Sequence, residues 1–265
     1  MILKKYNFSI IGYPLNKPRS VTLWRNFFKK KKIKHRMTAI EIEPKKINFF
    51  LKNFKKDSSF IASAVTMPFK EKIFKKVKTI DKITKYAESI NLIIKQKNHI
   101  IGYNTDIYGF LKSIPKDYKN IMIIGFGGTG KAIYKVLFNL KKKTSFYVIT
   151  SKYHSLKKIG NSRSIFNNKI ENKIIEKVDL IINCTPLGSN LKKEWIKKSP
   201  LSEAQLARVK KKCFIYDLVY KPEKTLLSKL AKKYKLKYEN GLQMNTLQAK
   251  KALDIVLKNL KLNQT

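Results

Sequence analysis

The segment Ile121-Met-Ile-Ile-Gly-Phe-Gly-Gly-Thr-Gly-Lys-Ala132 constrains the fold of this chain more than any other stretch. Its four leading apolar residues predict a buried parallel strand, and a helical pattern begins at Lys131. Between them Gly125, Gly127 and Gly130 have the spacing G-x-G-x-x-G. Glycines let the backbone approach a pyrophosphate, and the first N–H groups of the helix point at it. The segment therefore predicts a dinucleotide-binding unit in the second half of the chain.

The same segment also matches the start of a P-loop, G-x-x-x-x-G-K-[ST], through Gly125, Gly130 and Lys131. That loop needs a hydroxyl after the lysine to hold Mg²⁺. Ala132 stands at that position, which disfavours a nucleoside-triphosphatase site. When this motif is considered alone, a plain glycine turn between a strand and a helix remains an alternative interpretation.

The net charge of +42 results from 59 Lys and Arg against 17 Asp and Glu. A charge of this size suggests a nucleic-acid or anionic-membrane partner. Only five of the basic residues are Arg, which is the residue preferred for forked phosphate and base contacts. The lysines are spread over the whole length. We therefore interpret the charge as compositional drift at exposed positions and predict no nucleic-acid partner.

The length of 265 residues accommodates two modest domains. No apolar run reaches the ~18 residues of a membrane span, and the N-terminus lacks the apolar core of a signal peptide. Cys184 and Cys213 both lie in apolar, strand-like stretches, which favours buried free thiols. We expect a cytoplasmic protein that uses no metal and no membrane.

Hydrophobic periodicity predicts an α/β chain. In the first half, strands are predicted at 6–12, 37–42, 60–65, 90–95 and 99–103, with the last two paired, and helices at 21–33, 44–54, 79–87 and 106–113. From residue 121 onward, strand–helix repeats predict a parallel sheet that includes strands at 121–124, 145–150, 178–183 and 213–218 and helices at 131–141 and 242–260.

Polar pieces of sequence stand beside these elements. They are Gly12–Ser20, Thr66-Met-Pro-Phe-Lys70, Ala87–Asn91, Asn104-Thr-Asp106, Asn183-Cys-Thr-Pro-Leu-Gly188, Asp217–Thr225 and Asn240–Ala249. A lysine near a bound substrate serves as a general acid or base, although most of the 54 lysines are expected to be solvated surface charges. Asp106 is equally suited to cap the helix that follows it.

In this order the pieces resemble the shikimate dehydrogenase family, which reduces 3-dehydroshikimate to shikimate with NADPH in aromatic amino-acid biosynthesis. The resemblance covers nearly the whole chain. It implies an N-terminal three-layer α/β substrate domain (1–104) and a Rossmann-type dinucleotide-binding domain (105–240). It also implies a final helix (241–265) that returns to the substrate domain.

The resemblance also implies the roles of individual residues. Lys70 and Asp106 would be the catalytic pair, with Lys70 handling the proton while a hydride reaches the C3 carbonyl. The substrate-binding residues would be Ser20, Thr66, Lys70, Asn91, Asp106, Tyr220 and Gln248. The NADP-binding residues would be Gly125, Phe126, Gly127, Gly128, Thr129, Thr150, Ser151, Lys152, Thr185, Leu218 and Gly241.

Three departures from the family pattern bear on specificity. Pro18 replaces one of two carboxylate-binding serines, and we hypothesise that Lys17 or Arg19 compensates with charge. Leu92 replaces a threonine, and Asn245 a leucine. A relative of relaxed specificity that also acts on quinate therefore stays open, whereas a weakened binding or scaffold protein is disfavoured because the implied catalytic and substrate residues are kept.

The choice of cofactor depends on the end of the second nucleotide-binding strand. NAD-binding proteins usually place an acid there for the ribose hydroxyls. The chain has Thr150-Ser-Lys152 and no acid, which favours NADP. For the assembly we expect a monomer or a homodimer.

Overall fold

The computed structural model describes residues 6–15, 18–97, 99–115, 117–151 and 162–262. The chain forms two compact units. The first runs to Gly109 and resumes at Thr246, and the second comprises Phe110–Asn245. The chain passes between the units within two helices, Thr105–Ser113 and Leu242–Leu262. The divisions we drew from the sequence, after residues 104 and 240, fall slightly earlier because they follow the starts of these helices.

The first unit is built on a mixed six-stranded sheet in the order β2-β1-β3-β5-β6-β4. Its strands are β1 (Tyr6–Gly12), β2 (His35–Glu41), β3 (Phe60–Val65), β4 (Lys78–Thr79), β5 (Leu92–Gln96) and β6 (His99–Tyr103). β5 runs antiparallel to both β3 and β6, and the other neighbouring strands are parallel. The predicted pairing of the last two strands is confirmed.

Helices cover both faces of this sheet. They are Arg19–Lys30, Ile47–Lys56 with a 3₁₀ turn at Pro44–Lys46, Phe69–Phe74, Lys82–Ala87 and the C-terminal helix Leu242–Leu262. Successive strand residues point to opposite faces, so Phe8 and Ile10 pack with the C-terminal helix while Ile11 packs on the other side with Phe69. The three-layer α/β arrangement and the return of the final helix to this unit are confirmed.

The second unit has a fully parallel six-stranded sheet in the order β12-β11-β10-β7-β8-β9. Its strands are β7 (Asn120–Ile124), β8 (Ser145–Ile149), β9 (Ser164–Asn167), β10 (Leu180–Asn183), β11 (Phe214–Asp217) and β12 (Lys237–Asn240). Its helices are Gly128–Leu140, Asn172–Ile175, Glu203–Arg208 and Leu226–Lys233, with a 3₁₀ turn at Lys193–Trp195. This is the doubly wound Rossmann order, in which the connections diverge between β7 and β10 and leave a crevice for ligand at the carboxyl ends.

Several element ends differ from the prediction. The helix predicted at 21–33 spans Arg19–Lys30, because the chain turns through Lys32, whose φ is 54°, and the Ile33 N–H then bonds the Phe28 carbonyl. The helix after the glycine turn begins at Gly128 instead of Lys131, since glycines have low helix propensity and conceal its start. Among the described residues, no helix is long and apolar enough to cross a bilayer.

Candidate active site

Lys70 and Asp106, 36 residues apart in sequence, meet in the first unit. The Lys70 Nζ donates to Asp106 Oδ2 at 2.7 Å. The two side chains are 33% and 21% exposed, so the pair is partly shielded yet open to a ligand. A charge-assisted hydrogen bond of this length fixes the position of the ammonium group.

Local structure explains why the two side chains face each other. Lys70 lies in the first turn of Phe69–Phe74, directly after β3, and the buried Phe69 and Ile73 anchor that helix in the core. Asp106 is the second residue of Thr105–Ser113. The cap of that helix is Asn104, whose Oδ1 accepts from the Ile107 N–H at 3.0 Å. The interpretation of Asp106 as the cap is therefore wrong, and its carboxylate is free to hold Lys70.

Asn91, Thr105 and Gln248 form a second polar cluster in this unit. Asn91 Nδ2 donates to Thr105 Oγ1 at 2.9 Å, and the Thr105 N–H donates to Asn91 Oδ1 at 2.7 Å. Gln248 Oε1 accepts longer bonds from Asn91 Nδ2 at 3.4 Å and Thr105 Oγ1 at 3.2 Å. Thr105 is absent from our predicted site residues. Its position between Asn104 and Asp106 could have identified it from the sequence.

Ser20 follows β1, and Thr66 follows β3, a parallel neighbour of β1 in the sheet. The Thr66 N–H bonds the Ile11 carbonyl at 2.9 Å, which holds the residue at the end of β3. Ser20 lies in the first turn of Arg19–Lys30, behind Pro18, which provides no side-chain cap. The Ser20 hydroxyl makes no hydrogen bond to another described residue. Lys17, one of the two proposed compensating charges, lies outside the described residues.

In the second unit the glycine loop follows β7. Gly125 has a φ of 95°, in the left-handed region that favours glycine, and its N–H bonds the Ile149 carbonyl at 2.8 Å. A Cβ at Gly130 would lie 2.2 Å from the Gly125 carbonyl oxygen. A Cβ at Gly127 would meet nothing within 4 Å. Two glycines are thus required by the loop's own packing, whereas Gly127 leaves open space.

That open space lies beside the start of the following helix. Gly128 and Thr129 begin the following helix, and the first N–H groups of a helix have no acceptor within it. Phe126 is held at the loop by edge-to-face contacts with Tyr134 and Phe166, at centroid distances of 5.6 and 5.4 Å. At the end of β8, Thr150 is buried and Ser151 is exposed. Lys152 lies outside the described residues.

A buried network lies behind the neighbouring loops of this unit. Asn183 Nδ2 donates to Asp217 Oδ1 at 2.8 Å, and Asn183 Oδ1 accepts from the Thr185 N–H at 2.9 Å. Asp217 also accepts from the Val219 N–H at 3.0 Å and from the Tyr238 hydroxyl at 3.1 Å. Burial raises the pKa of the Asp217 carboxyl. The network fixes the backbone at Thr185 and beyond β11.

Sequence reasoning assigned no role to Asn183 or Asp217. The sequence pattern that could have identified them is a polar residue at the end of an apolar strand, as in Leu180-Ile-Ile-Asn183 and Phe214-Ile-Tyr-Asp217. Beside them the Cys184 residue is half-buried and Cys213 is buried, burial raises the pKa of both thiols, and neither forms a disulfide.

The last predicted residues follow β11 and β12. A Cβ at Gly241 would lie 2.4 Å from the Leu218 carbonyl oxygen, so only glycine allows these two loops to approach so closely. Tyr220 lies half-buried in the loop after β11. The predicted cofactor residues that the structure describes therefore follow the carboxyl ends of β7, β8, β10, β11 and β12, with Gly128 and Thr129 in the first turn of a helix and the others on loops.

Comparisons with known proteins agree with this architecture. Residues 10–93 match the family described as "Shikimate dehydrogenase substrate binding domain". A shikimate dehydrogenase (NADP⁺) of Clostridium botulinum is 33% identical over 258 residues, covering 94% of this chain and 96% of that protein.

Two crystal structures have the same fold. The shikimate dehydrogenase of Aquifex aeolicus aligns with a TM-score of 0.79 at 26% identity, covering 96% of this chain and 93% of that chain. A shikimate dehydrogenase in complex with NADP⁺ aligns with the same score and identity, covering 96% and 90%. By its sequence identity over nearly its full length, this chain belongs to the shikimate dehydrogenase family.

Proposed function

We propose that the protein catalyses the reversible, NADPH-dependent reduction of 3-dehydroshikimate to shikimate. The observation that carries the proposal is the ion pair between Lys70 and Asp106, formed in a chain whose second unit has a Rossmann sheet and an open glycine loop. Relatives named NADP⁺-dependent shikimate dehydrogenases, including the Clostridium botulinum protein, support the same activity.

Lys70 is the proton donor in this proposal. The bound NADPH supplies a hydride to the C3 carbonyl carbon of the substrate. The Lys70 ammonium donates a hydrogen bond to the carbonyl oxygen, stabilises the negative charge that develops there, and then gives up its proton to complete the alcohol. Solvent returns the proton to Lys70. In the oxidation of shikimate, neutral Lys70 takes the hydroxyl proton instead.

Asp106 is the residue that holds this lysine in place. Its carboxylate accepts a hydrogen bond from the Lys70 Nζ at 2.7 Å. The other N–H groups of the ammonium therefore point away from Asp106. Holding the acid in one geometry removes an orientational cost from the reaction. In our proposal Asp106 also accepts a hydrogen bond from a substrate hydroxyl.

Hydroxyl recognition is assigned to Thr66, Asn91 and Gln248. The hydrogen bonds of Gln248 within the cluster are 3.2 and 3.4 Å long, and such weak bonds are readily exchanged for bonds to a ligand. Asn91 is held more firmly by Thr105. Ser20 and Tyr220 are assigned to the substrate carboxylate. A polyhydroxylated acid needs many polar partners, because each unmatched buried group costs about 1–3 kcal/mol.

In the second unit, the backbone from Gly125 to Thr129 is assigned to the pyrophosphate. Thr150, Ser151 and Lys152 are assigned to the adenosine phosphate end, and Thr185, Leu218 and Gly241 to the nicotinamide end. The absence of an acid at 150–152 supports NADP over NAD. Comparing kcat/KM for NADPH and NADH tests this choice, and a preference for NADH contradicts it.

Pro18 favours a second candidate, a dehydrogenase that accepts quinate as well as shikimate. Proline removes a hydroxyl and an N–H donor at the position where the family has a serine for the substrate carboxylate. The test is to measure kcat/KM for shikimate and for quinate with NADP⁺ as oxidant. We expect shikimate to be preferred, and comparable values would make the broader activity the correct assignment.

Pro18→Ser separates the two candidates further. If the lost serine weakens carboxylate binding, this variant lowers KM for shikimate. An unchanged or higher KM would mean that Pro18 does not weaken carboxylate binding, and it would no longer support relaxed specificity.

We propose that the enzyme works in the cytoplasm as a monomer or homodimer. Its cysteines, Cys184 and Cys213, are free thiols, as expected in a reducing compartment. The +42 charge is assigned no nucleic-acid role. Tight DNA binding that weakens steeply with salt, in a preparation without dehydrogenase activity, would favour the opposite conclusion.

A further inference from the structure

One short segment of the first unit, residues 89–91, supports the backbone on both sides of the Lys70–Asp106 pair. The N–H of Ile90 donates to the carbonyl oxygen of Lys70 at 3.1 Å. The same segment contacts Asn104, which directly precedes the helix that carries Asp106. Two helices that are distant in sequence are therefore attached to one common segment, close to the two side chains that meet.

The side chain of Asn104 makes the second of these attachments. Its Nδ2 donates to the carbonyl oxygen and to the Oγ of Ser89, at 2.9 Å in each case. Asn104 and Ser89 are both 6% exposed, so water has little access to these bonds. A buried amide whose hydrogen bonds are made in full holds its neighbours in one arrangement.

The other polar groups of Asn104 fix the first turn of the helix Thr105–Ser113. Its Oδ1 accepts from the Ile107 N–H at 3.0 Å, and Asp106 lies within the turn that this bond closes. The N–H of Asn104 donates to Thr84 Oγ1 at 2.7 Å. Thr84 is fully buried, and its own N–H donates to an Asp81 carboxylate oxygen at 2.8 Å. Asn104 is thus held from two sides.

We propose that Asn104 is a positioning residue of the reaction. By attaching the first turn of Thr105–Ser113 to segment 89–91, it sets where the Asp106 carboxylate meets the Lys70 ammonium. The inference rests on the proposed roles of Lys70 and Asp106. Among the described residues Asn104 bonds neither of these two side chains, so it acts on them through the backbone. A displacement of about 1 Å caused by a change remote from the chemistry costs about 10²-fold in rate.

Asn104→Ser separates this attachment from the helix cap. Serine caps a helix about as well as asparagine, but it lacks the amide donor for Ser89. We expect a folded variant whose kcat is roughly 10–10²-fold lower, with the KM for NADPH unchanged. Asn53→Ser alters an exposed residue of another helix in the same unit, and it should keep the wild-type kcat. A folded Asn104→Ser variant with the wild-type kcat would overturn the proposal.

A double-mutant cycle with Asp106→Asn distinguishes positioning from a general loss of packing. If Asn104 acts through the Asp106 carboxylate, Asn104→Ser should lower kcat much less in the Asp106→Asn background, because the carboxylate that it positions is absent. Residues that act independently give equal losses in both backgrounds. Equal losses would therefore overturn the proposal.

The crystal structure of Asn104→Ser tests the geometry without any reaction. We expect Lys70 Nζ and Asp106 Oδ2 to move beyond hydrogen-bond distance, and an unchanged separation of 2.7 Å would overturn the proposal. A wild type that does not reduce 3-dehydroshikimate would remove the proposed function, while this structure would still decide the positioning. If Asn104→Ser fails to fold by circular dichroism, Thr84→Val, which removes the acceptor of the Asn104 N–H, takes its place in each measurement.

Discussion

The two units hold their proposed functional groups by opposite means. In the first, these groups are side chains, and the partly exposed Lys70 and Asp106 are bonded to each other. In the second, they are backbone N–H groups of a glycine loop. The polar side chains there, Asn183 and Asp217, are fully buried and accept hydrogen bonds from neighbouring backbone N–H groups. Changes in the first unit should therefore alter chemistry without altering stability, and changes in the second should alter stability or cofactor binding.

The largest effect is expected from Lys70→Met. The variant keeps the apolar stem but removes the proton donor, so kcat should fall roughly 10²–10⁴-fold. The affinity for NADPH, measured by fluorescence titration, should stay unchanged because the change lies in the other unit. Lys72→Met, an exposed lysine of the same helix, is the control and should keep wild-type kcat. A Lys70→Met variant with near-normal kcat would remove the proposed acid.

Asp217→Ala should produce the largest loss of stability. It leaves Asn183 Nδ2, the Val219 N–H and the Tyr238 hydroxyl without their acceptor in a buried site. The free energy of unfolding, measured with urea, should fall by about 3 kcal/mol. Asp254→Ala, on an exposed surface, should change it little. Equal stability of both variants would mean that the network does not support the second unit.

Asp217→Asn sharpens the same test through pH. Because burial raises the pKa of Asp217 above its ordinary value of 3.8, the folded state binds this proton more tightly than the unfolded state. The stabilisation that this carboxyl gives the wild type should be fully present below about pH 3.8, the ordinary pKa. It should be lost as the pH rises through the higher pKa of the folded state. The asparagine variant should lack this contribution. The difference between the two urea midpoints, followed over pH, checks the sign.

A pair of glycine variants should separate loop packing from cofactor binding. Gly130→Ala places a methyl group 2.2 Å from the Gly125 carbonyl oxygen, and it should destabilise the protein by about 1–3 kcal/mol. Gly127→Ala meets no protein atom within 4 Å, so its melting temperature should match the wild type. It should nevertheless raise KM for NADPH, because the methyl group fills the space assigned to the pyrophosphate. An unchanged KM would place the cofactor elsewhere.

The smallest effect is expected from Gln248→Met. Removing one hydrogen bond to a substrate hydroxyl costs about 1 kcal/mol, which corresponds to roughly a fivefold rise in KM for shikimate. Melting temperature should stay constant, because the bonds that Gln248 makes to Asn91 and Thr105 are long. A drop in stability with an unchanged KM would make Gln248 a structural residue.

The sequence predicted the long-range architecture better than its details. Buried strands such as β3 and β7 have strong apolar patterns, and the glycine spacing marks the turn after β7. The short β4, β9 and β12 lie at or near the sheet edges. Their patterns are weak because edge strands bury little, and we did not predict them.

Local polar motifs showed a similar limit. The sequence identified Asn104-Thr-Asp106 as important, but which residue caps the helix and which holds Lys70 depends on tertiary packing. The roles of Thr105, Asn183 and Asp217 likewise follow from partners distant in sequence, such as Gln248 and Tyr238. The resemblance to a family supplied the pairing of Lys70 with Asp106, which spacing alone does not give.

The central claim is that this chain moves a hydride from NADPH to C3 of 3-dehydroshikimate, with the proton supplied by Lys70. The most direct test uses NADPH deuterated at its reactive carbon and analyses the product by mass spectrometry. The wild type should yield shikimate that carries one deuterium at C3, and Lys70→Met should yield the same labelled product far more slowly. Absence of product from the wild type, or shikimate without deuterium, would contradict the account.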